Sequence, residues 1–175
     1  MTSEQRPTLA GPYELNVDPK DRLQIPAQFR RVFEADRSQR LYGIPGSDGN
    51  LWLYGETVYD EIAAKRGEPT LEPTDQEADF SRQYFGHALF LPWDTQGRIT
   101  LPGRVRDQYG LSKEIVMVGM RDHVELYDRP IWKALVDQLV ERNKKKREAM
   151  HIKAGIRPAI VGTNPPEAPA GPKSI

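Results

Sequence analysis

The sequence predicts an α+β fold, mainly β, in which two internal repeats interleave their strands into one barrel, with short helices and a C-terminal helix. The first observation is that "VDPKDRLQIP" (residues 17–26) returns as "WDTQGRITLP" (residues 93–102). The second is that each copy is followed by the same order of segments, a short helix and then a β-hairpin. About 45 residues cannot bury a core alone, so the two copies are expected to share one.

Repeat one is predicted over residues 12–57. The alternation in "YELNV" is typical of a half-buried strand, and "RLQI" forms a second short strand after the turn "DPKD". Pro26 suits the first turn of a helix, because the N–H that it lacks would have no partner there. Residues 40–54 then show a strand, a Gly-rich turn and another strand, which predicts a hairpin.

A helical connector is predicted over residues 58–86. Within it, the spacing of Thr74 and Glu77 matches a capping box, which places the start of a helix directly after Thr74. Repeat two follows over residues 87–130. It contains a strand-like "HALFLPW", the short strand "RITL", a short helix, and a second hairpin in "KEIVMVGMRDHVELY".

The two ends of the chain are expected to lie outside the barrel. Residues 1–11 form a polar, disordered arm, residues 131–150 a C-terminal helix, and residues 151–175 a disordered, proline-rich tail. The helix ends in a basic cluster, which consists of Arg142, Lys144, Lys145, Lys146 and Arg147. These cations complement the helix dipole, and a non-specific DNA-binding arm is the alternative interpretation.

The composition limits the class of protein. The chain has 175 residues, with 25 basic, 25 acidic and no cysteine side chains, which excludes disulfides and thiolate metal sites. No apolar run reaches the roughly 18–20 residues of a membrane helix. We therefore expect a cytoplasmic protein without membrane contact. A small nucleic-acid binder is often basic, so zero net charge argues against one unless charge is segregated or several subunits bind together.

The arginine of each copy, Arg22 or Arg98, has two compatible interpretations. It can pair with the aspartate four residues earlier, Asp18 or Asp94, and hold the turn. It can also present its forked donors to a phosphate or to a guanine edge. The aspartate could hold part of the guanidinium while the remaining donors point outward, so the residues alone leave both roles open.

The sequence shows no catalytic or metal-binding motif, and we predict no enzymatic activity, no metal and no cofactor. His87, His123 and His151 have no metal-ligand spacing, and no cysteine supports them. They are expected to be structural or to lie on the surface. The acids near the two turns are accompanied by no nucleophile motif and no phosphate-cradling loop.

A family resemblance rests on the two turn regions. "VDPKDRLQIPAQFRRVF" and "WDTQGRITLPGRVRDQYGL" both resemble the Asp-x-x-x-Arg signature of the AbrB-type swapped-hairpin fold. Two copies in one chain resemble the MraZ family, bacterial regulators with two SpoVT-AbrB-type repeats. The segments "DGNLWLY", "FGHALFLPWDTQGRITLP" and "LSKEIVMVG…HVELYD" also match that family's pattern, so the resemblance covers residues 12–142.

This resemblance implies a swapped-hairpin (AbrB-type) barrel that assembles into a ring-shaped homo-oligomer. It implies a sequence-specific, nucleoid-associated repressor that binds repeated promoter elements in double-stranded DNA. The implied targets are the division and cell-wall gene cluster, including the protein's own operon. The resemblance also implies a functional link to the neighbouring rRNA methyltransferase, and a protein-interaction module that regulates such a partner stays open as the alternative.

The resemblance also assigns residues. It implies DNA binding by basic side chains of the two turns and the two short helices, namely Arg22, Arg98, Arg30, Arg31, Lys20, Arg106 and Arg104. Asp18, Asp94 and Gly97 would position the turns. Repeat one is the more basic half, because Asp107 of repeat two stands where Arg31 would be, and it is the expected first DNA contact.

Repeat one departs from the family pattern at one position of its turn. Members commonly have glycine just before the signature arginine, which repeat two keeps as Gly97, whereas repeat one has Asp21. Aspartate tolerates a left-handed turn better than most residues. Its negative charge near the expected phosphate site is the feature of this turn that fits DNA binding least well.

Overall fold

The computed structural model describes residues 8–65 and 71–153, with side chains described up to residue 150. The chain divides into two compact units, residues 1–134 and 135–175. The strands are β1 (Leu9–Asn16), β2 (Arg22–Gln24), β3 (Arg40–Pro45), β4 (Leu51–Gly55), β5 (Leu89–Pro92), β6 (Arg98–Thr100), β7 (Glu114–Arg121) and β8 (His123–Asp128). The helices are α1 (Ala27–Ala35), α2 (Glu56–Ala64), α3 (Asp75–Tyr84), α4 (Gly103–Gln108) and α5 (Arg129–Lys153).

The strands form one six-stranded antiparallel sheet, in the order β1-β7-β8-β4-β3-β5, and one two-stranded ribbon, β2-β6. Strand β1 of repeat one pairs with β7 of repeat two, and β5 of repeat two pairs with β3 of repeat one. The first strand of each repeat therefore extends the hairpin of the other repeat. This exchange confirms the swapped-hairpin barrel that the two sequence copies predict.

The register of the strands reveals a pseudo-twofold axis between the repeats. In the ribbon, Leu23 lies opposite its counterpart Ile99. In the large sheet, β4 pairs with its counterpart β8, and Trp52 lies opposite its own counterpart, Glu125. Equivalent strands therefore occupy equivalent positions counted from the two edges of the sheet: β1 and β5 at the edges, then β7 and β3, and β8 and β4 at the centre.

The core is shared by the two repeats. Repeat one supplies Leu23, Ile25 and Phe29, and repeat two supplies their counterparts; all are buried, the counterparts being Ile99, Leu101 and Val105. They pack in the same cluster as the inward side chains of the sheet. Burying one such side chain contributes about 1.5–3 kcal/mol. Each repeat thus depends on apolar surface from the other.

Strand β1 begins earlier than the alternating pattern predicts. The sequence places residues 1–11 in a disordered arm and begins the strand at Tyr13, but β1 starts at Leu9, which is buried opposite Arg121. The backbone of β1 passes so close to Gly119 that a Cβ there would lie 2.4 Å from the nitrogen of Ala10. The pairing with β7 therefore places residues 9–12 in a strand, although their sequence has no alternating pattern. Residues 1–7 of the predicted arm lie outside the described residues.

The C-terminal helix also extends beyond its predicted end at residue 150, because α5 continues to Lys153. The remainder of the predicted tail, residues 154–175, lies outside the described residues. No helix in the described part of the chain is both long and apolar enough to cross a membrane.

The connector contains two helices with different kinds of start. Helix α2 begins at Glu56, two positions before the predicted connector, and the N–H of Glu56 donates to the Ser38 hydroxyl at 2.9 Å. Helix α3 begins with the capping box that the sequence predicts, since the Thr74 hydroxyl accepts from the N–H of Glu77 and the Glu77 carboxylate accepts from the N–H of Thr74. Residues 66–70 lie outside the described residues.

Candidate nucleic-acid interface

The turn of repeat one is closed by the carboxylate of Asp18. Its Oδ1 accepts the backbone N–H of Lys20 at 2.8 Å and that of Arg22 at 3.0 Å. Its Oδ2 lies 2.7 Å from Arg22 Nε and 2.6 Å from Arg22 Nη2. One aspartate therefore shapes the turn and fixes the guanidinium at the same time.

The turn of repeat two has the same geometry. Asp94 Oδ1 accepts from the N–H of Gln96 at 2.9 Å and from that of Arg98 at 3.0 Å, and Oδ2 lies 2.8 Å from Arg98 Nε and 2.6 Å from Nη2. Within the described residues, nothing bonds to Nη1 of either signature arginine. The two interpretations of these arginines are thus structurally compatible, because the pairing with aspartate leaves Nη1 of each arginine without a described partner.

The residue before each arginine adopts a left-handed backbone. Asp21 has φ of +57° and Gly97 has φ of +75°. This conformation costs an ordinary side chain energy, but glycine adopts it freely and aspartate tolerates it. The two turns therefore keep one backbone shape with two different residues.

The bonds at the turns lower the pKa of both aspartates. The side-chain bond to Arg22 is the largest effect at Asp18, and together with the N–H groups of Arg22 and Lys20 it outweighs burial and lowers the pKa from 3.8 to about 2. The bond to Arg98 likewise holds the pKa of Asp94 below its ordinary value.

These lowered pKa values predict a stability that falls in acid. A carboxyl with a lower pKa in the folded state stabilises the fold above its unfolded pKa, and this contribution is lost as pH falls through the folded pKa. For Asp18 that window runs from 3.8 down to about 2. We expect Asp18→Asn to make the free energy of unfolding depend less on pH across this window. Urea unfolding at several pH values measures this dependence.

Asp107→Asn is the matched control, because Asp107 is an exposed aspartate on α4. It should leave the acid dependence as steep as in the wild type. An Asp18→Asn protein with the full wild-type dependence would show that the pairing with Arg22 does not stabilise the fold.

The ribbon β2-β6 collects the signature arginines on one exposed face. Leu23 and Ile99 point into the core, so the alternation of the strands directs Arg22, Gln24 and Arg98 outward. Arg22 and Arg98 are diagonal neighbours in this pairing, which puts their Cα atoms about 7–8 Å apart. Gln24 is a candidate contact that the sequence reasoning missed, although period-two alternation from Arg22 would have found it.

The helices that flank the ribbon cross between the repeats. Arg106 of repeat two donates from Nη2 to Asp21 of the repeat-one turn at 2.9 Å. Arg30 of repeat one donates from Nη1 to the Gln96 carbonyl of the repeat-two turn at 3.1 Å, and it lies over Gly97. Each turn is therefore combined with the helix of the other repeat. The basic helix α1 of repeat one lies against the turn of repeat two. The charges of the two repeats, counted separately along the sequence, therefore do not give the charge of each turn in the folded protein.

Three other basic candidates are exposed. Lys20 lies in the first turn, Arg31 on α1 and Arg104 on α4, and no described residue forms an ion pair with any of them. The basic cluster of residues 142–147 is exposed along α5, where Lys145 lies 3.9 Å from Glu141. Because α5 continues to Lys153, the cluster lies more than one turn before the helix end, where the dipole effect has fallen off, so the dipole interpretation does not apply.

His123 has structural surroundings, whereas the side chain of His151 lies outside the described residues. His123 lies 2.7 Å from Asp122 and 3.4 Å from the buried Glu125, which also accepts from the Tyr127 hydroxyl. Burial lowers the pKa of His123, but the two carboxylates outweigh it and the pKa is raised. Burial acts to raise the pKa of Glu125, but the bonds from His123 and Tyr127 hold it below its ordinary value. Among the described residues, no group of three or more His, Cys, Asp or Glu could hold a metal ion.

Two interleaved repeats, each with an arginine held by aspartate on one ribbon, define an AbrB-type swapped-hairpin protein. A family model described as "MraZ protein, putative antitoxin-like" matches residues 84–154. The chain is 34% identical over 132 residues to "Transcriptional regulator MraZ" of Herpetosiphon aurantiacus, which covers 75% of this chain and 88% of the relative. It belongs to the MraZ family of transcriptional regulators.

Two other relatives give the same result. The "Transcriptional regulator MraZ" of Desulforapulum autotrophicum is 33% identical over 140 residues, 80% of this chain and 92% of the relative. The "Transcriptional regulator MraZ" of Thermomicrobium roseum is 34% identical over 129 residues, which cover 74% of this chain and 87% of the relative. The family is one of transcriptional regulators and not of enzymes, which confirms the prediction of a non-enzymatic protein.

Proposed function

We propose that this chain is a sequence-specific DNA-binding repressor of the division and cell-wall gene cluster, including its own operon. In this proposal it binds repeated promoter elements as a ring-shaped homo-oligomer. The observation that carries the proposal is the exposed face of β2-β6, where Arg22 and Arg98 are fixed by Asp18 and Asp94 around a pseudo-twofold axis. Membership of a family of transcriptional regulators supports DNA as the target.

The ribbon has suitable dimensions and chemistry for the major groove. A two-stranded β-ribbon fits this groove, which is about 12 Å wide, and several DNA-binding proteins read bases with one. The free donors of Arg22 and Arg98 suit the acceptors of guanine or a phosphate. Because aspartate already orders each guanidinium, little rotamer freedom is lost when DNA binds.

The side chains around the ribbon would fix the protein on the DNA backbone. Lys20, Arg30, Arg31 and Arg104 are the proposed phosphate contacts, since they lie in the turns and on the flanking helices. Phosphate contacts set register and orientation but do not read sequence. Base readout is therefore assigned to the ribbon and backbone binding to its surroundings.

The proposal accounts for zero net charge in two ways. Lys20, Arg31 and Arg104 lie beside the ribbon and form no ion pair with a described residue, so they add uncompensated positive charge there. In addition, a ring presents several ribbons at once, and repeated DNA elements let them bind with avidity. Each ribbon can then bind weakly while the assembly binds tightly.

A gel-shift with the protein's own upstream DNA tests this function. We expect the upstream duplex to bind more tightly than a scrambled duplex of the same length and composition. Across a salt series, the logarithm of affinity should fall linearly, with a slope that grows by about 0.9 for each phosphate contact. Equal affinity for both duplexes would overturn the proposal of a sequence-specific repressor.

An exposed aromatic surface favours the alternative, a module that regulates a partner such as the neighbouring rRNA methyltransferase. Phe90 on edge strand β5 is 54% exposed, its ring packs against Tyr42, and the guanidinium of Arg40 lies 4.8 Å above it. Co-purification of the partner by wild-type protein without DNA would support this alternative. Binding that is lost with Phe90→Ser would assign it to this surface.

A further inference from the structure

The helix arginine has a different partner at each end of the ribbon because of one residue of the turn. We define the Asp21 half-site as residues 18–22 with Arg106, and the Gly97 half-site as residues 94–98 with Arg30. In the first, the helix arginine meets a carboxylate at 2.9 Å. In the second, it meets a carbonyl oxygen, at 3.1 Å.

We infer that the two half-sites are unequal, with Arg30 of the Gly97 half-site contributing a phosphate contact and Arg106 of the Asp21 half-site held back by Asp21. Asp21 thus withholds one backbone contact and makes a pseudo-symmetric protein bind DNA asymmetrically. This inference rests on the proposed function and adds which half of the surface carries the backbone contact.

The surroundings of Arg106 explain why it is withheld. Its side chain is only 12% exposed, and besides Asp21 it donates from Nε to the Leu101 carbonyl at 3.2 Å. A phosphate would have to separate a half-buried ion pair and leave the Asp21 carboxylate beside its own negative charge. Such a separation is costly, because one buried charge loses its partner.

The surroundings of Arg30 leave it much freer. Its side chain is 31% exposed, and its nearest acid is Glu34, one helical turn away at 3.6 Å and 56% exposed. Exposed pairs of this kind hold weakly. The bond to the Gln96 carbonyl carries no opposing charge, so a phosphate can approach Arg30 without displacing a carboxylate of the turn.

The contrast originates in the space above the left-handed residue. A Cβ at Gly97 would lie 2.2 Å from Arg30 Nη1, so the glycine lets the guanidinium lie directly on the turn. At the equivalent position of the other turn the Asp21 side chain is present, and the arginine pairs with it. A single Gly-to-Asp difference therefore decides whether the helix arginine is neutralised.

The test measures fluorescence anisotropy on the upstream duplex and on a scrambled duplex, each across a salt series, with circular dichroism to verify folding. Arg30→Ala should weaken binding about tenfold or more, the effect of losing a charge-assisted bond, and reduce the salt slope by about 0.9. The double variant Asp21→Gly, Arg106→Ala removes the ion pair without changing net charge, so it should change binding by less than about threefold and leave the slope within about 0.3 of the wild type.

The decisive variant is Asp21→Gly, which suits the positive φ of the turn and releases Arg106. It should tighten binding and increase the salt slope by about 0.9, and in that background Arg106→Ala should now cost about as much as Arg30→Ala. Asp21→Asn, which keeps a side chain that accepts this backbone, should shift both quantities in the same direction.

The outcomes separate this inference from the proposed function. Equal losses from Arg30→Ala and from the double variant Asp21→Gly, Arg106→Ala, or an unchanged slope with both Asp21 variants, would overturn the inference while specific binding persisted. Equal wild-type affinity for the two duplexes would overturn the proposed sequence specificity, and the Arg30 and Arg106 comparison would still be decided on either duplex. Absence of binding to both duplexes would overturn the two together.

Discussion

Leu23→Ala is expected to lower the free energy of unfolding by about 2–5 kcal/mol, the usual result of truncating a fully buried leucine. Leu23 is 0% exposed and lies opposite Ile99, also 0% exposed, at the pseudo-twofold axis of the ribbon. The cavity would open where the two repeats meet. Neither repeat could close it by a local shift, because the neighbouring side chains come from both.

Urea unfolding at one fixed protein concentration measures this loss. Leu71→Ala provides the matched control, because it is the same substitution at a side chain that is 101% exposed, and a surface change of this kind stays within about 0.5 kcal/mol. Losses of similar size in the two variants would show that the Leu23–Ile99 contact does not hold the repeats together.

The barrel could be predicted from the sequence because its determinants are local or repeated. Leu23 and Ile99 occupy the same place in two copies of one motif, and the size of a copy already requires a shared core. The capping box of Thr74 and Glu77 was also predicted correctly, since its two bonds join residues three positions apart. Patterns confined to a few neighbouring residues can be read before the fold is known.

The differences arise where distant residues decide the local structure. Leu9 begins β1 because it is buried in the core and paired with β7, whereas Gly11 and Pro12 give no local sign of a strand. The start of α2 likewise depends on Ser38, 18 positions before the N–H that it accepts. Tertiary pairing overrides weak local propensity in both places.

In the candidate site, too, local contacts could be predicted from the sequence and distant contacts could not. The four-residue spacing of Asp18 and Arg22 predicts their contact, and the structure has it in both turns. The partner of Asp21 is different, because Arg106 lies 85 positions away and belongs to the other repeat. The exchange of hairpins determines which helix lies against which turn. The sequence of the turn alone therefore cannot predict that Asp21 pairs with Arg106.

The double variant Arg22→Ala, Arg98→Ala is expected to weaken specific DNA binding on the order of a hundredfold or more, since each bidentate arginine contributes about 1–3 kcal/mol of discrimination. The two side chains share the exposed face of one ribbon, and both are ordered before binding by their aspartates. Anisotropy titrations on the upstream and scrambled duplexes would measure the change. Affinity for the scrambled duplex should fall less, because it draws mainly on phosphate contacts.

Two comparisons distinguish geometry from charge. Arg82→Ala with Lys133→Ala removes two positive charges from exposed sites on α3 and α5, and it should leave the preference for the upstream duplex intact. Arg22→Lys with Arg98→Lys keeps the charge but loses the planar fork, so the preference should decline while the salt slope is retained. If the Arg22→Ala, Arg98→Ala protein bound the upstream duplex as tightly as the wild type, neither arginine would contribute to recognition. The ribbon would then be excluded as the surface that reads the DNA sequence.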